Sequence, residues 1–245
     1  MKRFTISKFL IYCGIAAFTS ICLVPMILTL MVSITDESSI MRNGYSFIPE
    51  KLSLYAYQLM FQGGSSVVRG YIISISVTVI GTLLALGITA LAAYTLSNKT
   101  VKYRNALSLF FYITMVFSSG VVPWYMICTT LGMRNNIFSL LIPSLLFNPF
   151  NLFLVKNYMS GLPDSLRESA TIDGANDAYI AWKIYFPLSV PVLATVGLFY
   201  GLAYWNDWWN AIMLIDNTKL FPIQYLLLQL RSRLQMLRDL QYLSG

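Results

Sequence analysis

Residues 165–187 read SLRESATIDGANDAYIAWKIYFP, a polar island carrying Arg167, Glu168, Asp173, Asp177 and Lys183, with long apolar runs on both sides. Its local signals describe two short helices joined by a bend. Pro163 ends what precedes it. Ser165 and Glu168 have the S-x-x-E spacing of a capping box, which predicts a helix starting at about Leu166. Asp173-Gly174 is a turn signal, with Gly174 suited to the left-handed residue that closes a helix. Asn176 or Asp177 can cap a second helix through residues 179–183, and Pro187 marks re-entry into apolar sequence. Ala170, Ala175, Ala178 and Ala181 keep parts of the surface low. Such a knob fits a groove on another protein; an amphipathic pair resting on lipid headgroups has the same signals.

The rest of the composition says what the island is set in. Of 245 residues, 57% are hydrophobic and 11% charged, against about a quarter charged in soluble domains. A soluble core could not hide that much apolar surface, so the bilayer is the expected solvent. The net charge of +7 lies in short clusters between apolar runs rather than in one patch, which argues for membrane orientation and against nucleic acid. Histidine is absent, removing His-activated nucleophiles, His proton relays and the commonest metal ligand. Cys13, Cys22 and Cys128 sit in or beside apolar runs without C-x-x-C spacing, as small apolar residues do. No metal site is expected.

Five runs approach the ~20 apolar residues of a membrane helix: about 9–34, 71–96, 106–128, 137–158 and 188–215. The first is too long for a signal peptide and is expected to be retained. Basic residues put the N-terminus and the 98–105 loop, with Lys99, Lys102 and Arg104, in the cytoplasm. The 35–70 loop and the 129–136 turn then lie outside, and the segment 159–187 is cytoplasmic again, with Lys156, Arg167 and Lys183 in support. The expected fold is all-α, a polytopic transmembrane helix bundle forming a single domain over residues 1–245, with 216–245 as an outer segment.

Within the island, Glu168, Ser169 and Ala170, then Gly174, then Ile184 and Pro187 match the signature EAA-x3-G-x9-I-x-L-P, with Ser169 and Phe186 as mild departures. This resembles the inner-membrane permease subunits of ABC importers, in the maltose-type (type I) carbohydrate-uptake family. Asp173-Gly174-Ala175 looks like the carbohydrate version of the motif. Residues 45–61, with Ser-Phe-Ile-Pro and then Ser-Leu-x-x-Tyr, resemble the first outer loop of sugar permeases, and residues 204–210 (YWNDWWN) resemble their fifth helix. The similarity covers most of the chain and is closest to permeases for polysaccharide-derived oligosaccharides.

The resemblance implies that the island docks on a cytoplasmic ATPase. Glu168, Ser169, Ala170, Asp173, Gly174, Ile184 and Pro187 are the candidate ATPase-coupling residues, with capping and bending as the alternative role. It also implies a second homologous permease subunit, two ATPase subunits, an extracytoplasmic solute-binding protein and an oligosaccharide substrate, in a bacterial inner membrane. The sequence has no G-x-x-x-x-G-K-[ST] loop to cradle ATP. The chain is therefore expected to bind no cofactor, with ATP and magnesium on the partner subunits, and not to be an enzyme.

For a substrate path the candidates are Asn148 and Asn151, at the Asn-Pro-Phe-Asn interruption of the fourth run, and Tyr204, Trp205, Asn206 and Asp207. Carboxamides and aromatic faces suit sugar hydroxyls and sugar C–H faces. A kinked packing helix and an aromatic belt at the outer interface are the competing explanations. Gly197-x-x-x-Gly201 reads as a close helix contact. The family has a sixth span; here residues 221–230 are too short to cross, so a truncated chain or a natural variant is expected. A stand-alone secondary transporter or channel is the alternative function, but it predicts intramembrane acids in several helices and inverted repeats, and only Asp207 answers. A membrane enzyme would need paired acids, a metal set or a nucleophile–base pair, none of which appears.

Overall fold

The computed structural model describes residues 6–62 and 65–244. Among them the secondary structure is helical, apart from one isolated antiparallel bridge between Thr35 and Leu52. The chain divides into two compact units, Met1–Ser65 and Ser66–Gly245, and each is described by itself.

The first unit holds α1 (Ile6–Ser33), α2 (Glu37–Asn43) and α3 (Tyr55–Gln62). Residues Ile11–Ser33 of α1 are long and apolar enough to cross a membrane. Asp36 caps α2 by accepting from the Ser38 amide at 3.1 Å. Its own amide donates to Lys51 O at 3.0 Å, which sets the bridge beside the cap.

The second unit begins with α4 (Ser65–Ser97), the longest helix and also long and apolar enough to span. Then come α5 (Arg104–Val116), α6 (Val121–Thr130), α7 (Phe138–Leu141), α8 (Pro149–Ser160), α9 (Ser165–Ile172) and α10 (Asp177–Ile180). A π-turn over Ala181–Tyr185 leads into α11 (Phe186–Leu188), α12 (Val190–Trp205), α13 (Trp209–Leu214), a 3-10 turn at Thr218–Leu220 and α14 (Ile223–Ser244).

Three of the five runs are broken helices; the break in the fourth agrees with the interruption its Asn-Pro-Phe-Asn stretch predicts, whereas the sequence pattern reads the other two as continuous. α5 and α6 meet at 115° across 117–120, where Ser-Ser-Gly follows Phe117 and Gly120 takes φ +81°. In the 188–215 run α12 ends at Trp205 and α13 starts at Trp209, and an 81° bend past Pro187 separates α12 from the helix 177–188 before it. The 137–158 run is interrupted at residues 142–148, where Pro143 removes a donor and Ser144 adopts φ +65°. Apolar count measures compatibility with lipid, not helix continuity, which is why the sequence pattern runs through the breaks at 117–120 and 206–208. Among the described residues the long helices supply two spans, or up to four if each bent pair counts as one.

Breaks free backbone N–H and C=O groups that lipid cannot satisfy. Here α12 and α13 satisfy them. Tyr204 Oη donates to Leu141 O at 2.8 Å, the Asn148 amide donates to Tyr200 Oη at 3.1 Å, and Asn210 Nδ2 donates to Pro143 O at 3.1 Å. The same Tyr200 hydroxyl pairs with Thr89 Oγ1 of α4 at 2.8 Å, so it joins three helices at one buried point. Leu152, Val155 and Val196 are fully buried around it. At the far end of α4, Ser74 Oγ accepts from the Ile223 amide at 2.9 Å and so caps the start of α14.

Gly197 and Gly201 face α4, but the tightest glycine seat between α4 and α12 lies outside that motif, at Gly81. A Cβ at Gly197 or Gly201 would meet Leu86 or Thr82 at the ordinary distances of 3.6 and 3.7 Å. A Cβ at Gly81 would instead stand 2.5 Å from the Tyr204 ring, whose hydroxyl is already committed to Leu141. Gly81→Ala is therefore expected to destabilise the unit by about 1–3 kcal/mol of overpacking, whereas Gly197→Ala should be neutral or slightly stabilising. Thermal unfolding of the two variants in detergent checks this; equal midpoints would contradict it.

Candidate functional site

The polar island is a helix–bend–helix whose parts are specified locally. α9 starts at Ser165, one residue earlier than the capping-box pattern places it, and Asp164 occupies the cap position with helical backbone angles and no side-chain cap bond. Its carboxylate turns to Lys99 instead, forming an ion pair. At the other end the Ala175 amide donates to Ala170 O at 2.9 Å and the Gly174 amide to Thr171 O at 3.1 Å, with Gly174 at φ +81°. This is the Schellman closure, and it explains why glycine stands there. Asn176 then caps α10 by accepting from the Tyr179 amide at 2.8 Å.

The helix does not stop at Lys183. It widens into the π-turn and continues through Pro187 to Leu188. The wide turn presents Tyr185 inward, 2% exposed, edge-on to Tyr94 of α4 with ring centroids 5.2 Å apart. Arg167 of α9 lies against both rings, its guanidinium carbon 5.0 Å from the Tyr94 centroid and 4.9 Å from that of Tyr185. Tyr94 Oη donates to Asp177 Oδ1 at 3.3 Å. The contacts that hold the island to the C-terminal part of α4 and the loop after it include Lys99–Asp164, Arg167–Tyr94, Asp177–Tyr94 and Tyr185–Tyr94. The first also joins the 98–105 loop to the 159–187 segment, the two loops that the charge pattern assigns to one side.

The outer surface of the island is different in kind. Glu168, Ser169, Asp173, Gly174 and Pro187 are exposed, Ile184 is half-buried, and Ala170 is buried beneath α9. Around the acids stand Ile172, 86% exposed, Tyr179 and Trp182. Large apolar side chains presented this openly beside charges mark a contact surface rather than a core.

The candidate path residues are not brought together as one polar lining. Asn148 is the N-cap of α8, accepting from the Phe150 amide at 2.9 Å, while Asn151 is buried on the same helix. Tyr204 is 3% exposed and satisfies the broken backbone. Trp205 is half-buried, and exposed Asn206 bonds back to Leu202 O at 2.8 Å. Asp207 accepts from Asn210 Nδ2 at 3.0 Å and from its amide at 3.2 Å, and Asn210 in turn holds Pro143. Asn135, at φ +59°, accepts from the Asn217 amide at 2.7 Å and so fastens the 129–136 turn to the end of α13, beside the Arg134–Asp216 ion pair at 3.0 Å. Among the described residues no group of three or more acidic or cysteine side chains is placed to hold a metal. Sequence reasoning missed the Tyr94–Arg167–Tyr185 stack, whose members are far apart in the chain and carry no local signal.

Comparison with known proteins agrees with this architecture. Residues 78–229 match the family model described as binding-protein-dependent transport system inner membrane component. The polygalacturonan/rhamnogalacturonan transport system permease protein YtcP of Bacillus subtilis (strain 168) is 36% identical over 221 residues, covering 90% of this chain and 77% of that protein. The arabinooligosaccharides transport system permease protein AraQ of Halalkalibacterium halodurans is 27% identical over 89% of this chain and 80% of its own length. A chain from the crystal structure of a bacterial ABC transporter involved in the import of the acidic polysaccharide alginate superimposes with TM-score 0.82 at 30% identity, covering 89% of this chain and 78% of that one.

Two predictions follow from the local geometry. Gly174→Ala should cost about 1–2 kcal/mol, because an L side chain resists the left-handed region, and it should be seen as faster amide exchange at the end of α9. The hydrogen bond from Lys99 holds the exposed Asp164 carboxylate below the ordinary aspartate pKa. A lowered folded pKa means that the stabilisation is present above about pH 4 and is lost as pH falls through the lowered value. The difference in thermal midpoint between wild type and Asp164→Asn should therefore shrink on acidification below pH ~4, and also in high salt.

Proposed function

The chain belongs to the family of binding-protein-dependent transport system inner membrane components and is a membrane permease of the ABC-importer kind; from that premise we propose that it carries oligosaccharides released from polysaccharides. In this proposal it pairs with a second, homologous permease, receives its solute from an extracytoplasmic binding protein, and is driven by two ATPase subunits that hold the ATP and magnesium. The chain itself catalyses no bond cleavage. Its place is the bacterial inner membrane, with the N-terminus and the island on the cytoplasmic side and lipid around the bundle.

The observation that carries the proposal is the two-faced island. One face is clamped to α4, while the other presents Glu168, Asp173, Ile172, Tyr179 and Trp182 outward. A handle needs both: a rigid attachment to what is moved and a free surface for what moves it. Glu168, Ser169 and Asp173 would meet the ATPase. Gly174 and Ala170 would shape the bend, and Ile184 and Pro187 would carry the second helix back toward α12. Nucleotide-driven closure of the ATPases would favour one arrangement of the bundle by differential binding, moving the permeases between inward- and outward-open states. The sugar is supported by what the similar proteins are named for. Asn148, Asn151, Tyr204, Trp205, Asn206 and Asp207 remain its candidate lining, reached when the bundle opens.

The test is co-purification with the co-expressed nucleotide-binding subunit. The paired substitution Glu168→Ala, Gly174→Pro removes the Glu168 charge and places a residue locked at φ near −65° where +81° is required. Wild type should retain the ATPase, and the variant should lose at least about tenfold of it, equivalent to ~1.4 kcal/mol of docking. Retention unchanged in a folded variant would sink the coupling role. Uptake of labelled oligogalacturonide by cells with and without the chain tests the substrate class.

A further inference from the structure

The Arg167 guanidinium is neither exposed nor ion-paired among the described residues. It lies against the rings of Tyr94 and Tyr185 at 5.0 and 4.9 Å, and its Nη1 is buried without a hydrogen-bond partner there. Tyr94 belongs to α4, Arg167 to α9 and Tyr185 to the π-turn, so one cation touches an element from each side of the bend. Nothing about α9 alone calls for this arrangement. A surface arginine would keep its head in water; this one is half-buried, with Nη1 shut away from solvent and the guanidinium against two aromatic faces, whose quadrupoles attract it more strongly as it is desolvated.

We propose that Arg167 is a positioning residue for transport, the clamp that makes the island and α4 move as one body. The path continues through contacts already described. α4 holds α12 through Thr89–Tyr200 and through the Gly81–Tyr204 approach, and those two tyrosines hold the broken α7–α8 backbone. A displacement applied at Glu168 and Ile172 therefore reaches the bundle through Arg167 first. Asp177, bonded to Tyr94, and Lys99, paired with Asp164, keep the joint from rotating about the stack. This inference rests on the coupling role proposed above for the same island.

The experiment uses the full assembly reconstituted in proteoliposomes, with Arg167→Gln, Arg167→Lys and Tyr94→Leu. Two readouts are taken on each preparation: amide exchange across Ser165–Ile172, and the ratio of solute-stimulated to basal ATP hydrolysis. In Arg167→Gln and Tyr94→Leu the ATPase should stay bound, while exchange in α9 rises about tenfold without change in α4 or α12. Solute stimulation should fall at least about fivefold, the lower end of what coupling between sites carries. Arg167→Lys should fall between, because the ammonium keeps the charge over the rings but loses the planar stacking of the guanidinium. Wild-type exchange with wild-type stimulation in Arg167→Gln overturns the clamp. So does exchange that rises throughout α4 and α12, because Arg167 then supports the fold rather than the joint. A wild-type chain that binds no ATPase removes the coupling role instead; exchange in α9, which needs no ATPase, still decides whether Arg167 fixes the joint.

Discussion

The second unit is organised by one constraint: a helix broken inside lipid must have its freed backbone groups satisfied by protein. The interruption between α7 and α8 frees the Leu141 and Pro143 carbonyls and the Asn148 amide. α12 supplies Tyr204 and Tyr200, and α13 supplies Asn210, to meet them. An unmet group in hydrocarbon costs several kcal/mol, far more than one packed methylene. The register of α12 against the break is therefore set by hydrogen bonds first, with apolar packing filling in around them. The tight seat of the Tyr204 ring on Gly81 follows from that register, and so does the placement of α4.

The same ordering separates what was legible in the sequence from what was not. The all-α membrane character follows from composition together with apolar runs of about 20 residues. The island was legible because its signals are local: Gly174 closes α9 and Asn176 caps α10, both within four residues of the groups they serve. The start of α9 was misjudged by one residue because Asp164, which would otherwise cap it, is drawn away by Lys99. That pull comes from another loop and leaves no local trace. The interruption of the fourth run is legible at Pro143 and Asn148-Pro149, whereas the break at 117–120 goes unseen for a related reason. Serine, glycine and proline scattered in an apolar run lower its hydropathy little, yet each changes which backbone angles and bonds are available.

The aromatic residues show the limit most clearly. The YWNDWWN stretch offers an eye-catching set of sugar-binding groups. In the folded chain Tyr204 and Asn210 hold backbone, and Asp207 holds Asn210. Tyr94 and Tyr185, which drew no attention in the sequence, frame the most unusual charge in the structure. Residue type suggests what a side chain is able to do; the nearest unsatisfied group decides what it does.

The π-turn at Ala181–Tyr185 has a consequence for chain length. A π-turn accommodates one residue more than an α-helical path between the same ends, and each residue of helix turns the chain by about 100°. Removing one residue within Ala181–Ile184 would let the turn relax to an α path with both ends in place, and Tyr185 would keep its seat against Tyr94 and Arg167. Removing a second would exhaust that slack and turn the tyrosine about 100° off the guanidinium. Every hydrophobic and charged type around the turn could survive the second deletion while the joint was lost. The spacing between the glycine bend and the proline is thus a mechanical dimension with a tolerance of one residue.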